Sequence, residues 1–153
     1  MKDALDNKVI YITGATAGIG FALAELLLTK GSTVVISGRN NQTLESAQKK
    51  LRKISPNLIA HNIDVSKESE IVESLQSVYS SYGRIDGLVN NAPSIHVGKI
   101  VDLDLAAWKT NFKANLDAVF LTTKTVLPWM IDAKKGSIVN VASVVGLKGV
   151  EYM

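Results

Sequence analysis

The stretch TGATAGIG, from Thr13 to Gly20, has the residue types and spacing of a phosphate-binding turn. It lies between a short apolar run and a sequence of helical character. Gly14 permits a sharp exit from a strand, Gly18 leaves the backbone bare where a ligand would approach, and Gly20 lets the helix pack closely on the sheet. The first N–H groups of a helix attract an anion. Such a turn either binds no ligand or forms a nucleotide site. We expect a nucleotide site here, formed by Gly14, Thr16, Ala17, Gly18, Ile19 and Gly20.

Such a turn needs a strand before it and a helix after it, and this alternation continues along the chain. Five strand-length runs alternate with helical stretches, and the runs are nearly continuously apolar. Continuous apolar strands are typical of a parallel sheet that helices cover on both faces. The sequence therefore predicts a single α/β domain over residues 1–153, with a doubly wound parallel sheet. The predicted strands are VIYIT (9–13), TVVIS (33–37), NLIAHNID (57–64), IDGLVNN (85–91) and SIVNVAS (137–143), the last of them buried.

Helix boundaries can also be predicted. Gly31 and Gly83 each follow a helical stretch and are expected to end it, and Ser66 is expected to cap the third helix. A long helix is predicted over about residues 103–132, because apolar side chains recur there at helical spacing. Its predicted packing stripe contains Trp108, Phe112, Leu116, Val119, Phe120, Thr123, Val126, Leu127 and Met130.

Composition excludes several classes of function. The net charge is only +3 with a single tight basic cluster, KKLRK, so nucleic-acid binding is not expected. The chain has no cysteine, which excludes disulfides and thiolate metal sites. His61 and His96 are far apart in the sequence, and we expect no metal site. Asp3 and Asp6 precede the first apolar run, so no signal peptide is predicted. The longest apolar stretch, from Phe21 to Leu28, is too short to span a membrane, and a cytoplasmic location is expected.

Further motifs follow the glycine turn in order. The pair Asp64–Val65 follows the third predicted strand, and Asn90, Asn91 and Ala92 end the fourth. ANLDAVFLTTK places Asn115 in the long helix, and GSIVNVAS places Ser143 after the fifth strand. With the turn, these motifs resemble the short-chain dehydrogenase/reductase family over the whole chain. One position departs from the resemblance: Pro93 stands where the family usually has glycine, which affects the geometry of the loop near the nicotinamide.

The resemblance implies a Rossmann-type fold and a dinucleotide cofactor. It assigns Asp64, Val65, Asn91 and Ala92 to the adenosine site. In the family an acidic residue after the second strand binds the ribose hydroxyls of NAD. Here the segment ISGRN holds no carboxylate, and Arg39 follows the strand. Because a guanidinium suits a 2′-phosphate, we predict NADP as cofactor and Arg39 as its ligand.

The resemblance also implies hydride transfer between the nicotinamide and a carbonyl or alcohol carbon of a small substrate. Ser143 would orient the substrate carbonyl and Asn115 would anchor a water relay. The family's tyrosine–lysine pair, in which lysine follows tyrosine by four positions, is absent from the sequence, and Tyr152 is interpreted as a loop residue. We therefore expect the chain to be truncated after strand five and inactive alone.

Three interpretations stay open: an incomplete NADP-dependent oxidoreductase, a non-catalytic dinucleotide-binding module, and a fragment with a structural or partner-binding role. The resemblance implies a homo-oligomer for the complete protein, built on the long helix. In the short chain, that helix and the edge of strand five would be exposed.

Overall fold

The computed structural model describes residues 4–152. Asp3 and the outermost positions of the predicted 1–153 domain therefore lie outside the described residues. The element order confirms the predicted alternation of strands and helices. The elements are β1 (Val9–Ile12), α1 (Gly18–Thr29), β2 (Thr33–Gly38), α2 (Asn41–Leu51), β3 (Leu58–Asn62), α3 (Glu68–Tyr82), β4 (Gly87–Asn90), α4 (Leu105–Phe112), a π-helical turn (Lys113–Asp117), α5 (Ala118–Asp132) and β5 (Ser137–Asn140), with short 3₁₀ turns at Ile100–Asp102 and Val144–Gly146.

The five strands form one sheet in the order β3-β2-β1-β4-β5, with every pair parallel. This confirms the doubly wound α/β fold. The chain runs from β1 outward to β3, then crosses back to β4 on the other side of β1. The loops leaving β1 and β4 therefore diverge, and the crevice between them is where sheets of this type bind ligands.

Helices cover the two faces of the sheet and form two buried cores. Ile10, Ile12, Val34 and Ile36 pack with α1 and α2 on one face. Val9, Tyr11, Val35 and Leu88 pack with α3 and α5 on the other. Since successive strand residues point to opposite faces, both alternating sets must be apolar, which explains the unbroken runs in the sequence.

The glycine helix ends are confirmed, but the cap of the third helix is not. Gly31 and Gly83 have positive φ angles of 82° and 66° and follow α1 and α3. The prediction for Ser66 is wrong, because Lys67 precedes the first residue of α3 and no side chain caps that helix. The Ser66 backbone N–H instead donates to Asp64 Oδ1 at 2.9 Å, which places Ser66 in the turn before the helix.

The predicted long helix is present, but it contains the π-helical turn and presents a different face to the sheet. Its buried side chains recur every four residues and are mostly small: Ala114, Ala118, Thr122, Val126 and Met130. Of the predicted packing stripe, Val126 and Met130 are buried, whereas Trp108, Phe112, Leu116 and Phe120 are exposed. The prediction of one packing stripe is therefore wrong. Small residues allow the helix to approach the sheet closely, and the bulky stripe faces outward.

The prediction for strand β5 is the third to be corrected. The sequence predicted a buried strand, but three of its four residues are exposed. Ile138 packs against the core under α5, whereas Val139, on the opposite face of the sheet, is 51% exposed. Among residues 4–152, β5 pairs only with β4. In the same described part of the chain, no helix is both long and apolar enough to cross a membrane.

Candidate functional site

The glycines of the turn are required by the geometry of the backbone. Gly14 has a φ of 65°, and a Cβ added there would lie 2.5 Å from Ala92 Cα. A Cβ at Gly20 would lie 2.5 Å from Asn91 Nδ2. Gly18 also has a positive φ, of 57°, but no atom lies within 4 Å of its missing Cβ. The first two glycines allow β1, α1 and β4 to meet, whereas Gly18 leaves open space beside the turn.

Within residues 4–152, the first backbone N–H groups of α1 have no hydrogen-bond partner beside this open space. The first intrahelical bond of α1 is from Phe21 N to Ala17 O, at 3.3 Å, so the N–H groups of Gly18, Ile19 and Gly20 precede it. Ala17 makes no side-chain cap and the first turn carries no acidic residue. Free N–H groups and the positive end of the helix dipole suit an anion, so the turn fits the pyrophosphate of a dinucleotide.

Thr13 and Asn91 join the ends of β1 and β4 under the turn. Thr13 Oγ1 accepts hydrogen bonds from the backbone N–H groups of Asn91 and Ala92, at 2.9 and 3.0 Å. Asn91 Nδ2 donates to the carbonyl oxygens of Thr13 and Gly14, both at 3.0 Å. The side-chain amide of Asn91 therefore holds the shape of the glycine turn. Sequence analysis missed Thr13, whose sequence signal is a lone hydroxyl at a strand end.

Arg39 and Asp64 lie where β2 and β3 end. Arg39 is exposed, and its positive charge acts on Asp64. Burial raises the pKa of Asp64, but the hydrogen bonds from Ser66 and the charges of Arg39 and Lys67 outweigh burial and leave that pKa below its usual value. The Asp64 N–H donates to Glu70 Oε2 at 2.7 Å. The loop after β3 is thus held by α3, with an ionised carboxylate beside the guanidinium.

Ser143 and Asn115 lie at the same carboxyl edge of the sheet, on the side of β4 and β5. Ser143 Oγ accepts a 3.4 Å hydrogen bond from Val145 N, which leaves its hydroxyl hydrogen free to donate. Asn115 Oδ1 accepts from Ser94 N at 2.8 Å, and Asn115 Nδ2 donates to Ser94 O at 2.6 Å. The Asn115 side chain therefore fixes the loop after β4 onto the π-helical turn.

One cleft of about 1150 Å³ joins these groups along the carboxyl edge of the sheet. All the predicted site residues line it except Gly20, which lies beneath the turn against Asn91. Pro93, the departure from the family pattern, also lines the cleft. The lining residues that sequence analysis missed include Asn40, Thr43, Ser94, His96, Thr110 and Asn111. Asn40 and Thr43 carry only the signal of a helix cap, with Thr43 N donating to Asn40 Oδ1 at 3.0 Å.

Tyr152 and His61 lie outside this cleft. Tyr152 is in a turn with a φ of 66°, and its carbonyl accepts from Gly98 N at 3.0 Å. His61 belongs to the core under α3, where its Nδ1 lies 2.6 Å from Ser74 Oγ, and the Tyr11 hydroxyl lies 2.5 Å from the same oxygen. Burial lowers the pKa of His61 and raises that of Tyr11. Within residues 4–152, no three histidine or acidic side chains group as metal ligands would.

The sequence and fold of this chain are matched by known proteins. A profile described as short chain dehydrogenase matches residues 8–153. The chain belongs to the short-chain dehydrogenase family. Within this family, it is 37% identical over 145 residues to the 3-oxoacyl-[acyl-carrier-protein] reductase FabG of Thermotoga maritima. That alignment covers 95% of this chain and 59% of the relative, so the short-chain dehydrogenase described here spans about three fifths of the relative's length.

Solved short-chain dehydrogenase structures superpose closely. A metagenomic short-chain oxidoreductase in complex with NADP has a TM-score of 0.90 and 30% identity, covering 97% of this chain and 68% of its own. NAD⁺-bound xylitol dehydrogenase has a TM-score of 0.92 and 30% identity, and the superposition covers 98% of this chain and 58% of the xylitol dehydrogenase chain. Together these likenesses confirm the Rossmann-like fold and place the chain in a family of dinucleotide-binding oxidoreductases.

Proposed function

We propose that the chain is the cofactor-binding part of an NADP-dependent oxidoreductase that acts on a small carbonyl or alcohol substrate. The observation that carries this proposal is the single cleft. It runs from Arg39 and Asp64, past the glycine turn, to Ser143 and the loop that Asn115 holds. NADP supplies or accepts a hydride when bound, and the residues of this chain bind and orient both partners.

The preference for NADP rests on Arg39. It is exposed at the adenosine end, and no salt bridge to it occurs within the described residues. A fork-shaped guanidinium can make two parallel hydrogen bonds to a 2′-phosphate, and NAD lacks that group. The solved relatives include one bound to NADP and one bound to NAD⁺, so the residue after β2 is the place to test this choice.

Calorimetric titration with NADPH and NADH tests the cofactor. Arg39→Gln should weaken NADPH binding by about ten- to a hundredfold and leave NADH binding nearly unchanged, because the charge-assisted hydrogen bonding to the 2′-phosphate is lost. Arg52→Gln, an exposed arginine at the end of α2 outside the cleft, is the matched control. An unchanged ratio of NADPH to NADH affinity in Arg39→Gln would show that NADP is the wrong assignment.

Ser143 and Asn115 have different roles in this proposal. The free hydroxyl hydrogen of Ser143 would donate to the substrate oxygen on which charge develops. Asn115 would act by position, since its amide oxygen and nitrogen are both bonded to Ser94. In the water relay that the family resemblance implies, Asn115 would therefore contribute by holding the loop after β4 against the π-helical turn.

The alternative is a dinucleotide-binding module without turnover. No tyrosine in the 153 residues has a lysine four positions later, and both this module and an incomplete oxidoreductase predict that. A positioned general acid contributes about 10²–10⁴-fold to a rate. We expect the purified chain to bind NADPH yet reduce no carbonyl at about 1 s⁻¹ or faster. Turnover at such a rate would contradict this expectation, and absence of NADPH binding at millimolar concentration would favour a purely structural fragment.

The outward stripe of α4 and α5 supports a homo-oligomer. Trp108, Phe112, Leu116 and Phe120 form a line of exposed apolar side chains with Trp108 and Phe112 in ring contact, their centroids 4.6 Å apart. Apolar surface of this kind marks an interaction site. The proposal is that copies of the protein associate through this helix face.

A further inference from the structure

Four polar side chains lie together in the apolar core under α3, away from the cleft. Tyr11 on β1, Ser37 on β2 and His61 on β3 come from three adjacent strands, and Ser74 faces them from α3. Tyr11, Ser37 and Ser74 are buried, whereas His61, on an edge strand of the described sheet, is half-buried. Polar groups in such a core reduce stability unless each has a hydrogen-bond partner, so their pairing must be explained.

Ser74 Oγ contacts two of the other three groups. It lies 2.5 Å from the Tyr11 hydroxyl oxygen and 2.6 Å from His61 Nδ1. A serine hydroxyl has one hydrogen, so Ser74 can donate to only one of these atoms and accepts from the other. The hydrogen bonds therefore run in one of two directions, from Tyr11 towards His61 or from His61 towards Tyr11.

The direction for a neutral imidazole follows from Ser37. Within residues 4–152, the buried Ser37 Oγ has no hydrogen-bond partner, so the Tyr11 hydrogen is not bonded to it. Tyr11 therefore donates to Ser74, and Ser74 donates to an unprotonated His61 Nδ1. The neutral ring then has its hydrogen on Nε2. In this direction, Tyr11, Ser74 and His61 Nδ1 are all paired, and the Ser37 hydroxyl alone among the four groups is left over.

A protonated imidazole requires the opposite direction. Both ring nitrogens then carry hydrogen, so His61 Nδ1 must donate to Ser74 Oγ. Ser74 turns its hydrogen to the Tyr11 oxygen, and the Tyr11 hydrogen needs a new acceptor. Ser37 stands directly beside His61 in the register of β2 and β3. Burial raises the pKa of Tyr11, and the hydroxyls of Ser74 and Ser37 act in the opposite direction, so Ser37 lies close enough to be that acceptor.

We propose that Tyr11, Ser74 and His61 form a proton switch, in which a proton bound at His61 Nδ1 reverses the hydrogen bonds and Ser37 Oγ becomes the last acceptor. The proton comes from solvent at the edge of the sheet. The hydroxyl hydrogens only rotate, so no O–H bond breaks. A proton bound on β3 thereby changes a hydrogen bond on β1, the central strand of the sheet.

Charged groups add little to this switch. The titratable group that faces His61 from β1 is Tyr11, whose ring meets the imidazole edge-on with the centroids 6.4 Å apart. From β2, the neighbouring Ser37 is uncharged. On α3, Glu70 bonds the loop after β3, and Glu73 is exposed. Burial lowers the pKa of His61, and no charged group among the described residues adds to that effect.

Nuclear magnetic resonance can follow both ends of the switch between pH 8 and pH 4. The protein has two histidines and four tyrosines, so His96→Gln and Tyr11→Phe assign the signals. Long-range ¹H–¹⁵N spectra should show neutral His61 with its hydrogen on Nε2. In protein labelled with ¹³C at tyrosine Cζ, the Tyr11 signal should shift with the same midpoint as the His61 titration, because the Tyr11 hydroxyl changes partner when His61 is protonated.

Ser37→Ala removes the last acceptor of the protonated state and leaves the neutral state intact. We expect the acid dissociation constant of the His61 imidazolium to rise about fivefold, as for the loss of one net hydrogen bond. Ser32→Ala is the matched control, because Ser32 is also fully buried but donates to Leu5 O at 2.7 Å, and His61 should titrate there as in wild type. In a Tyr11→Phe background, which interrupts the switch before Ser37, Ser37→Ala should have no effect on His61.

Four results would overturn the proposal. The first is a neutral His61 with its hydrogen on Nδ1, and the second is a Tyr11 signal that does not follow the His61 titration. The third is an unchanged acid dissociation constant in Ser37→Ala, which would make Ser37 a packing residue only. The fourth is a His61 that stays neutral until the protein unfolds in acid. None of these results depends on NADPH binding, so the proposed function is tested separately.

Discussion

The N-terminal half of the chain, residues 8–92, is closely packed (the closed half), whereas most side chains of the C-terminal half, residues 93–152, are not buried (the open half). Val34 in β2 is fully buried, and Val139 in β5 is 51% exposed. The glycine at the exit of β1 touches Ala92, and Gly146 beyond β5 has no atom within 4 Å of its missing Cβ. The proposed cofactor site is therefore built on a closely packed region, and the proposed substrate end lies on a region with few packing constraints.

The largest difference in stability between the two halves is expected when Gly14 and Gly146 are each replaced by alanine. Gly14→Ala introduces a Cβ 2.5 Å from Ala92 Cα at a φ of 65°, so backbone strain and overpacking add. Each costs about 1–3 kcal/mol, and we expect about 3 kcal/mol of lost stability in urea unfolding. Gly146→Ala meets open space and should change stability by no more than about 1 kcal/mol. Equal losses at both positions would mean that the C-terminal half is as tightly packed as the first.

Two valines test the same comparison within strands. Val34→Ala removes two fully buried methyl groups and should destabilise the chain by about 2 kcal/mol. Val139→Ala removes the same atoms from an exposed face and should cost less than about 0.5 kcal/mol. Thermal and urea unfolding measure both. A large loss in Val139→Ala would reveal that another surface covers β5 in solution.

Apart from the cap at Ser66, the sequence was sufficient to predict the elements of the closed half, because its local signals and its packing agree. Its apolar runs indicate buried strands, and the glycines that adopt positive φ indicate turns and helix ends. The open half was harder to predict. The long helix has two stripes at four-residue spacing, one with Trp108 and Phe112 and one with Ala114 and Ala118, and periodicity cannot tell which one faces the sheet. The contact of Asn111 with His96 depends on a loop whose conformation is set by tertiary contacts.

The stability of the closed half should also depend on pH. Burial lowers the pKa of His61, so the folded chain favours neutral imidazole. Its contribution to stability is complete above about pH 6.5 and is lost as the pH falls through the lowered pKa, by at most about 1.4 kcal/mol per pH unit. Urea unfolding between pH 8 and 5 should show a smaller acid-side loss in His61→Gln than in wild type. Parallel curves would refute the assignment to His61.

The smallest effect on folding is expected at the outward helix stripe. Replacing Phe112 and Phe120 by Glu should alter stability by less than about 0.5 kcal/mol, since both side chains are exposed. The same change should reduce self-association of the chain, measured by light scattering. Gln42→Glu with Gln76→Glu adds the same charge on α2 and α3 and should leave association unchanged. A monodisperse wild-type monomer at tens of micromolar would contradict association through this face.

The position of β1 in the middle of the sheet has a consequence for biosynthesis. β1 leaves the ribosome before the other four strands, yet its hydrogen-bonded neighbour β4 lies far along the chain, and the contact of Val9 with Asp86 spans 77 positions. At about 5–20 residues per second, translation needs about 4–15 s to supply that neighbour. During this interval the nascent chain exposes one edge of an apolar strand. The order of strands that creates the cofactor crevice thus also sets a waiting time during which the nascent chain can aggregate or recruit chaperones.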